Sequence, residues 1–334
     1  MGLQSIRDAI SASTATKLLT AVGAAVLCLV AVNPFIEIAS ESFLFYLMFW
    51  VAMTLSVNLV FGYTGYIPFG YFAFYGVGAY GAAIAYIKLG VPMLVAVAFG
   101  GICAVILGVI FLPMFRVEGI YFAIATFAAA WALKIGITMT PEELTGGATG
   151  LYVADAYDPF MTYYAMFAVL VGVVVTTVWL DYSRLGTMLR AMRDDPTAAA
   201  MSGINNAKIR SYAWLLSTFF PGLIGGIDTW QTTVVTPEGG FDVLLSIKPI
   251  LYAIFGGVGT VLGPILGSVS LYLIDDIVWS VLPMGSYLVT GLILMLVVLV
   301  FPRGLIGEFE FREGLLETKA SPQFMDFLPN RGEK

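Results

Sequence analysis

Read for its apolar and polar positions, the chain is a succession of long apolar runs with short polar joints, broken once by an extended polar segment. A helix needs about 20 apolar residues to cross about 30 Å of hydrocarbon. Runs of that kind fall at 18–36, 43–61, 72–87, 91–114, 119–138, 159–180, 211–235, 261–280 and 285–301. A further stretch, 248–257, is apolar but too short to cross alone, and either crosses with its neighbours or re-enters. The pattern predicts an all-α polytopic membrane protein of about ten transmembrane segments. An N-terminal segment at 1–17 precedes the transmembrane domain, 18–301, and a tail follows at 302–334.

The polar exception is 181–210, with five Lys/Arg and three Asp. It reads as two short helices in series. In the first, Leu185, Met188, Leu189 and Met192 keep helical spacing, with Arg190 and Arg193 on the remaining face. In the second, Asp195 stands where an N-cap belongs and Pro196 at the first helical position, where a missing N–H costs nothing. Ala199 lies inside this helix, Gly203 is placed to end it and Ile204 follows as the apolar residue beyond. Asn205 or Asn206 caps the next helix. A capped knob between two spans serves either as a docking surface or as an ordinary positively charged loop.

Composition narrows the class. Of 334 residues 59% are hydrophobic and only 11% charged, against about 25% charged in soluble domains. The two cysteines, Cys28 and Cys103, lie in separate apolar runs, which argues against a disulfide framework or zinc site, and the absence of histidine removes His-based metal sites and triads. A net charge of −6 argues against nucleic acid as a partner. Placing the N-terminus, Arg116, the knob and the tail on one side gathers all of the 16 Lys/Arg except Lys88, Lys134 and Lys248. That side is expected to be cytoplasmic, with both termini on it.

Two glycine-rich interruptions flank the knob, Asn58–Ala83 and Tyr252–Ser268, each with a proline, Pro68 and Pro264. Interrupted spans in corresponding halves point to a transport site, since broken backbone at membrane depth is tolerated only where it is buried in protein or lines a cavity. The competing reading is close helix packing, for Gly259, Gly263 and Gly267 and for Gly222 and Gly226. For Gly62–Gly70 a true break is expected, because Pro68 also removes a donor. Asp228 is the one acid well inside a span, placed to meet a substrate ammonium or a coupling cation, or else held by a neighbouring hydroxyl. Gly76–Gly81 fits G-x-G-x-x-G but lies inside an apolar run, and no G-x-x-x-x-G-K-[ST] phosphate loop exists in the chain.

Four stretches in order carry a family resemblance: GYTGYIPFGYFAFYGVGAY after the second span, VEGIYFAIATFAAAW followed by TGGATGL, the SRLGTMLRAMRDDPTAAAMSGINNAKIR of the knob, and FGGVGTVLGPILGS. Over roughly Asn58–Phe301 the chain resembles the permease subunits of ABC importers for branched-chain amino acids, the M-type of an H/M pair. The resemblance implies two related halves in an ABC importer permease architecture, with no catalysis and no cofactor on this chain. It implies an H-type permease partner, two cytoplasmic ATPase subunits that carry ATP and Mg, an extracytoplasmic binding protein, and a place in the cytoplasmic membrane. It makes 181–210 the coupling element, with Arg190, Arg193, Asp195, Pro196, Ala199, Gly203 and Ile204 toward the ATPase. Gly62, Tyr63, Thr64, Gly65, Tyr66 and Tyr71, with Asp228, are expected along the substrate path. Tyr66, Pro68 and Tyr71 stand where relatives usually have Gln, Ser and His, which makes the path less polar. Permeases for urea or short amides share the architecture and remain open as an alternative, as does an ion-coupled carrier built on Asp228.

Overall fold

A computed structural model describes residues 40–281, together with Pro34, Gly291 and Leu292. The expected spans at 18–36 and 285–301, the N-terminal segment and the tail lie essentially outside the described residues. The helices are α1 Glu41–Thr64, α2 Phe72–Leu89, α3 Met93–Phe111, α4 Ile120–Thr138, the single turn α5 Glu142–Thr145 and α6 Pro159–Tyr182. After them come α7 Arg184–Asp194, α8 Pro196–Met201, α9 Asn206–Thr232, the turn α10 Pro237–Gly240, α11 Leu244–Gly256 and α12 Leu262–Val281. Among the described residues seven segments are long and apolar enough to cross a membrane. Six contain α1, α2, α3, α4, α6 and α12, and the seventh is Pro237–Gly256, in which α10 and the loop after it extend α11. The short run at 248–257 thus belongs to a full-length segment. Helix α9 is about 40 Å long, ample to cross, but carries Lys208, Arg210 and Asp228 and is not among the seven.

Helix α1 is the axis. It is apolar all round, as a helix enclosed by others must be, and every residue from Val51 to Val60 is buried. It packs against α6, α9, α11 and α12. Helices α2, α3 and α9 form a tighter trio at its side. That closeness is set by glycine: a methyl group on Gly78 would overlap the backbone of Gly222, and one on Gly222 would meet Ala104 and Gly100. With apolar lipid outside, van der Waals packing of this kind is what draws membrane helices together. Gly222 and Gly226 are therefore packing residues. Gly76 and Gly81 lie within α2, not on a phosphate-binding turn.

The end of the bundle opposite the knob departs from the all-α expectation. Leu151–Tyr152 pairs antiparallel with Val234–Val235, and Val153 N–H donates to the Thr233 carbonyl at 2.8 Å. Gly146, Gly147 and Gly150 take positive φ, so the Gly/Thr-rich stretch after Pro141 folds back on itself and delivers that strand. The pairing gives backbone groups beyond the helix ends their partners.

Candidate functional site

Both glycine-rich stretches contain a true break, and the last turns of α1, just before the first break, touch the second. Helix α1 ends at Thr64, Gly65 caps it at φ +76°, and the chain is non-helical until Phe72, whose N–H is received by the Ser246 hydroxyl at 2.8 Å. Helix α11 ends at Gly256, and 257–261 is irregular, with Gly257 and Gly259 at positive φ. Asn58 spans the gap between them. Its Nδ2 donates to the Thr260 carbonyl at 3.0 Å, and its Oδ1 accepts from Gly259 N–H at 2.9 Å. Backbone groups freed by the second break thereby find their partners in one side chain of α1, as an apolar surrounding demands. Gly62 and Gly259 sit backbone to backbone, and a methyl group on either would collide with the other.

The knob is built as its sequence suggests. Ser183 caps α7, accepting from Gly186 N–H at 3.1 Å, while Leu189 and Met192 turn inward and are buried. Asp195 Oδ1 accepts from Thr197 and Ala198 N–H at 2.8 and 3.0 Å, with Pro196 opening α8. At the far end Ile204 N–H reaches the Ala199 carbonyl and Gly203 N–H the Ala200 carbonyl, both near 3.0 Å. This is a Schellman closure, with Gly203 at φ +85° and Ile204 two residues beyond the C-cap Ser202. Asn205, not Asn206, caps α9, accepting from Lys208 N–H.

Arg190, Arg193 and Arg210 each bond a group outside their own helix, although Arg193 stays exposed. Arg193 donates to the Gly62 carbonyl and lies against Gly259, so one knob residue reaches both the last turn of α1, just before the first break, and the second break. Arg190 pairs with Asp181 at 2.5 Å, bonds the Asp181 carbonyl, and lies over the Tyr63 ring, whose hydroxyl also donates to Asp181. Arg210 is sandwiched between Tyr66 and Phe115 and donates to the Tyr66 hydroxyl. What the knob presents outward is the other face of α8. Ala199 is buried, whereas Thr197, Ala198 and Ala200 are exposed and Met201 is 86% exposed. Helical periodicity divides the faces of α7 and α8 but says nothing of what each face meets, so Met201 was not singled out by its sequence position.

The residues expected along a substrate path fall into three places. Gly62, Tyr63, Thr64, Gly65 and Tyr66 lie at and just beyond the knob-side end of α1, where Arg193 engages Gly62, Arg190 Tyr63 and Arg210 Tyr66. Tyr71 is fully buried and donates to the Ser217 carbonyl at 2.7 Å. Asp228 is apart from both, its Oδ2 receiving the Tyr75 hydroxyl at 2.5 Å and its Oδ1 buried without a hydrogen bond among the described residues. Among the described residues no group of three or more Cys, Asp or Glu is placed to hold a metal ion.

Comparison with known proteins places this geometry. Residues 40–300 match the family described as branched-chain amino acid transport system / permease component. The chain is 24% identical over 284 residues to the high-affinity branched-chain amino acid transport system permease protein LivM of Escherichia coli, an alignment covering 74% of this chain and 66% of LivM. It is 26% identical over 140 residues to the permease protein LivH of the same organism, covering 42% and 45% of the two chains. To the permease protein BraD of Pseudomonas aeruginosa it is 26% identical over 175 residues, covering 52% and 55%. The chain thus spans just under two thirds of LivM and about half of the other two. No solved structure matches. With the match running through both breaks, the knob and the apolar helices, the chain belongs to the permease-component family of branched-chain amino acid transport systems and is a multi-pass membrane protein.

Proposed function

We propose that the chain is a permease subunit of an ATP-driven importer that moves a small amino acid, branched-chain by the names of its relatives, across the cytoplasmic membrane. The observation that carries the reading is Arg193, a knob residue bonded to the last turn of α1, where the first interrupted segment breaks off, and lying against the second break. A force applied to the outer face of α8 reaches both interrupted segments through that one side chain. The chain has no phosphate loop of its own. ATP and Mg belong to two partner ATPase subunits, docked where Thr197, Ala198, Ala200 and Met201 are exposed, on a cytoplasmic face. An H-type permease completes the pore, and an extracytoplasmic binding protein delivers the substrate. Closure of the ATPases pulls on the knob and rocks the broken segments in alternating access. Arg190 and Arg193 act here as internal struts, and the capped turn Asp195–Ile204 acts as the rigid contact.

Relatives named for branched-chain amino acids do not favour urea, short amides or an ion-coupled carrier. The test is uptake by the complex, purified with its partner subunits and reconstituted in liposomes. Leucine accumulation that needs ATP inside and persists when ion gradients are collapsed supports the reading. Accumulation driven by an ion gradient, and lost in Asp228→Asn, would replace it. Gly203→Leu forces a side chain into a left-handed position with open space around it, and is expected to leave the permease folded while separating ATP hydrolysis from uptake.

A further inference from the structure

Asp228 carries a carboxylate that the fold only half satisfies. It stands four residues before Thr232, the last residue of α9, at the end of the bundle opposite the knob. There Trp230 Nε1 donates to the Ala156 carbonyl at 2.5 Å and Gln231 Oε1 receives the Thr162 hydroxyl at 2.6 Å, which ties the end of α9 to the start of α6 and the loop before it. From α2, Tyr75 donates its hydroxyl to Asp228 Oδ2 at 2.5 Å. The other oxygen, Oδ1, is enclosed and has no hydrogen bond among the described residues, although Asp228 as a whole keeps some exposure.

Protonation does not complete this site. Ionised, the carboxylate receives one hydrogen bond where it has room for several. Protonated, it leaves on Oδ1 either a hydroxyl without an acceptor or a carbonyl oxygen without a donor. Among the described residues no Lys or Arg pairs with Asp228: Lys134 is taken up by Glu238, Arg190 by Asp181 and Lys248 by Asp275. The surroundings favour positive charge instead. Tyr46 and Phe49 of α1 and Tyr75 make a wall of rings, with centroids 6.1 Å apart for Tyr46 and Phe49 and 5.9 Å for Phe49 and Tyr75. Tyr46 lies within electrostatic reach of Asp228, and Tyr75 within reach of both Asp228 and Asp242. Two acids, aromatic faces and an oxygen lacking its donor are the partners that an ammonium takes. An ionisable group kept in such a place, where a buried charge is costly, is by default there to meet something charged.

We propose that Asp228 is the ammonium subsite of the transport path on the side opposite the knob, where the α-ammonium of an incoming amino acid donates to Oδ1 and lies against the rings of Tyr46 and Tyr75. The inference rests on the amino-acid reading above and deepens it by naming the group on the substrate that is recognised. Urea and short amides bring no positive charge to Oδ1. The subsite also stands apart from Asn58 and Arg193, which fasten the breaks at the other end of α1, so reception of substrate and transmission of force fall to different residues.

The test uses the whole complex with its partner subunits in liposomes, supplied with binding protein saturated with leucine, and reads ATP-driven leucine uptake beside the thermal midpoint of the purified complex. Asp228→Asn keeps the size of the side chain and an acceptor for Tyr75, and removes the charge. Were Asp228 only a packing residue at the end of α9, or the partner of a bound water, exchange of an unpaired charge for an amide would leave uptake within about twofold. The subsite predicts a midpoint equal to or above that of the unaltered complex, with uptake at least about tenfold lower. It predicts that Asp228→Glu, which keeps the charge, transports faster than Asp228→Asn. Uptake within about twofold in Asp228→Asn would overturn the inference, as would equal losses in the Asn and Glu variants. Failure of Asp228→Asn to assemble would overturn it too, by making the carboxylate a piece of architecture. Uptake by the unaltered complex that stops when N-methylglucamine replaces the small inorganic cations outside would give the subsite to an inorganic cation. An unaltered complex that shows no ATP-driven leucine uptake overturns the proposed function itself, and the subsite with it.

Discussion

Asn58 Oδ1 accepts the Gly259 N–H at 2.9 Å although 201 positions separate the two residues in the chain. The same side chain donates to Thr260, the next residue. The first interrupted segment is thus fastened to the second by both ends of one asparagine, in the most buried of the described spans. Asn58→Leu removes both bonds and leaves an N–H and a carbonyl unpaired among apolar groups. A loss of about 1–3 kcal/mol is expected, read as a lower thermal midpoint of the detergent-purified protein. An unchanged midpoint would mean that the breaks do not depend on each other.

Arg193 extends that junction to the knob by bonding the Gly62 carbonyl. Arg193→Gln is too short to keep the bond and should loosen the knob while leaving the spans intact. Backbone hydrogen exchange across 184–205 is expected to quicken by about tenfold, with α1 and α9 unaffected. Equal protection in the variant would show that the knob is held by its buried Leu189 and Met192 alone.

Glycines at the same depth of sequence complexity differ sharply in consequence. A side chain on Gly78 meets the Gly222 backbone, which has no rotamer to yield, so Gly78→Val should push α2 and α9 apart and sharply reduce the amount of folded protein. Gly136, near the end of α4, has nothing within 4 Å of the added carbon. Gly136→Ala should be tolerated or stabilise by about 0.5–1 kcal/mol through helix propensity. Fluorescence-detected size exclusion of the two variants checks the contrast, and equal yields would contradict the packing.

Much of this was legible in the chain because the physics was local. The caps at Asp195 and Gly203 lie within a few residues of the groups they satisfy, and apolar runs of bilayer length need no tertiary information. The break after Thr64 was visible through Pro68 and its glycines. In the second stretch the sequence could not divide its glycines between two jobs: Gly259 sits in the break, while Gly263 and Gly267 pack α12 on α11. The direction taken by Arg190 and Arg193 was hidden for another reason. A helical repeat shows that both lie off the apolar stripe, but their partners, Asp181 and Gly62, belong to other elements. The two-residue strands at Leu151 and Val234 are shorter than any alternation can reveal. Lys248 and Asp275 lie in separate segments, and only the packing of α12 on α11 brings them together.

The central claim is that the exposed face of α8 receives the driving force from a separate ATPase. Met201 tests it most directly, since its side chain is 86% exposed, makes none of the internal contacts described above and can be changed without disturbing the caps. The measurement is leucine uptake and ATP hydrolysis, taken together, by the reconstituted complex carrying Met201→Asp. The account predicts a normally folded permease whose ATP-driven uptake falls by at least about tenfold, as loss of a buried apolar anchor at an interface would cause. Uptake and hydrolysis both equal to those of the unaltered complex would contradict it.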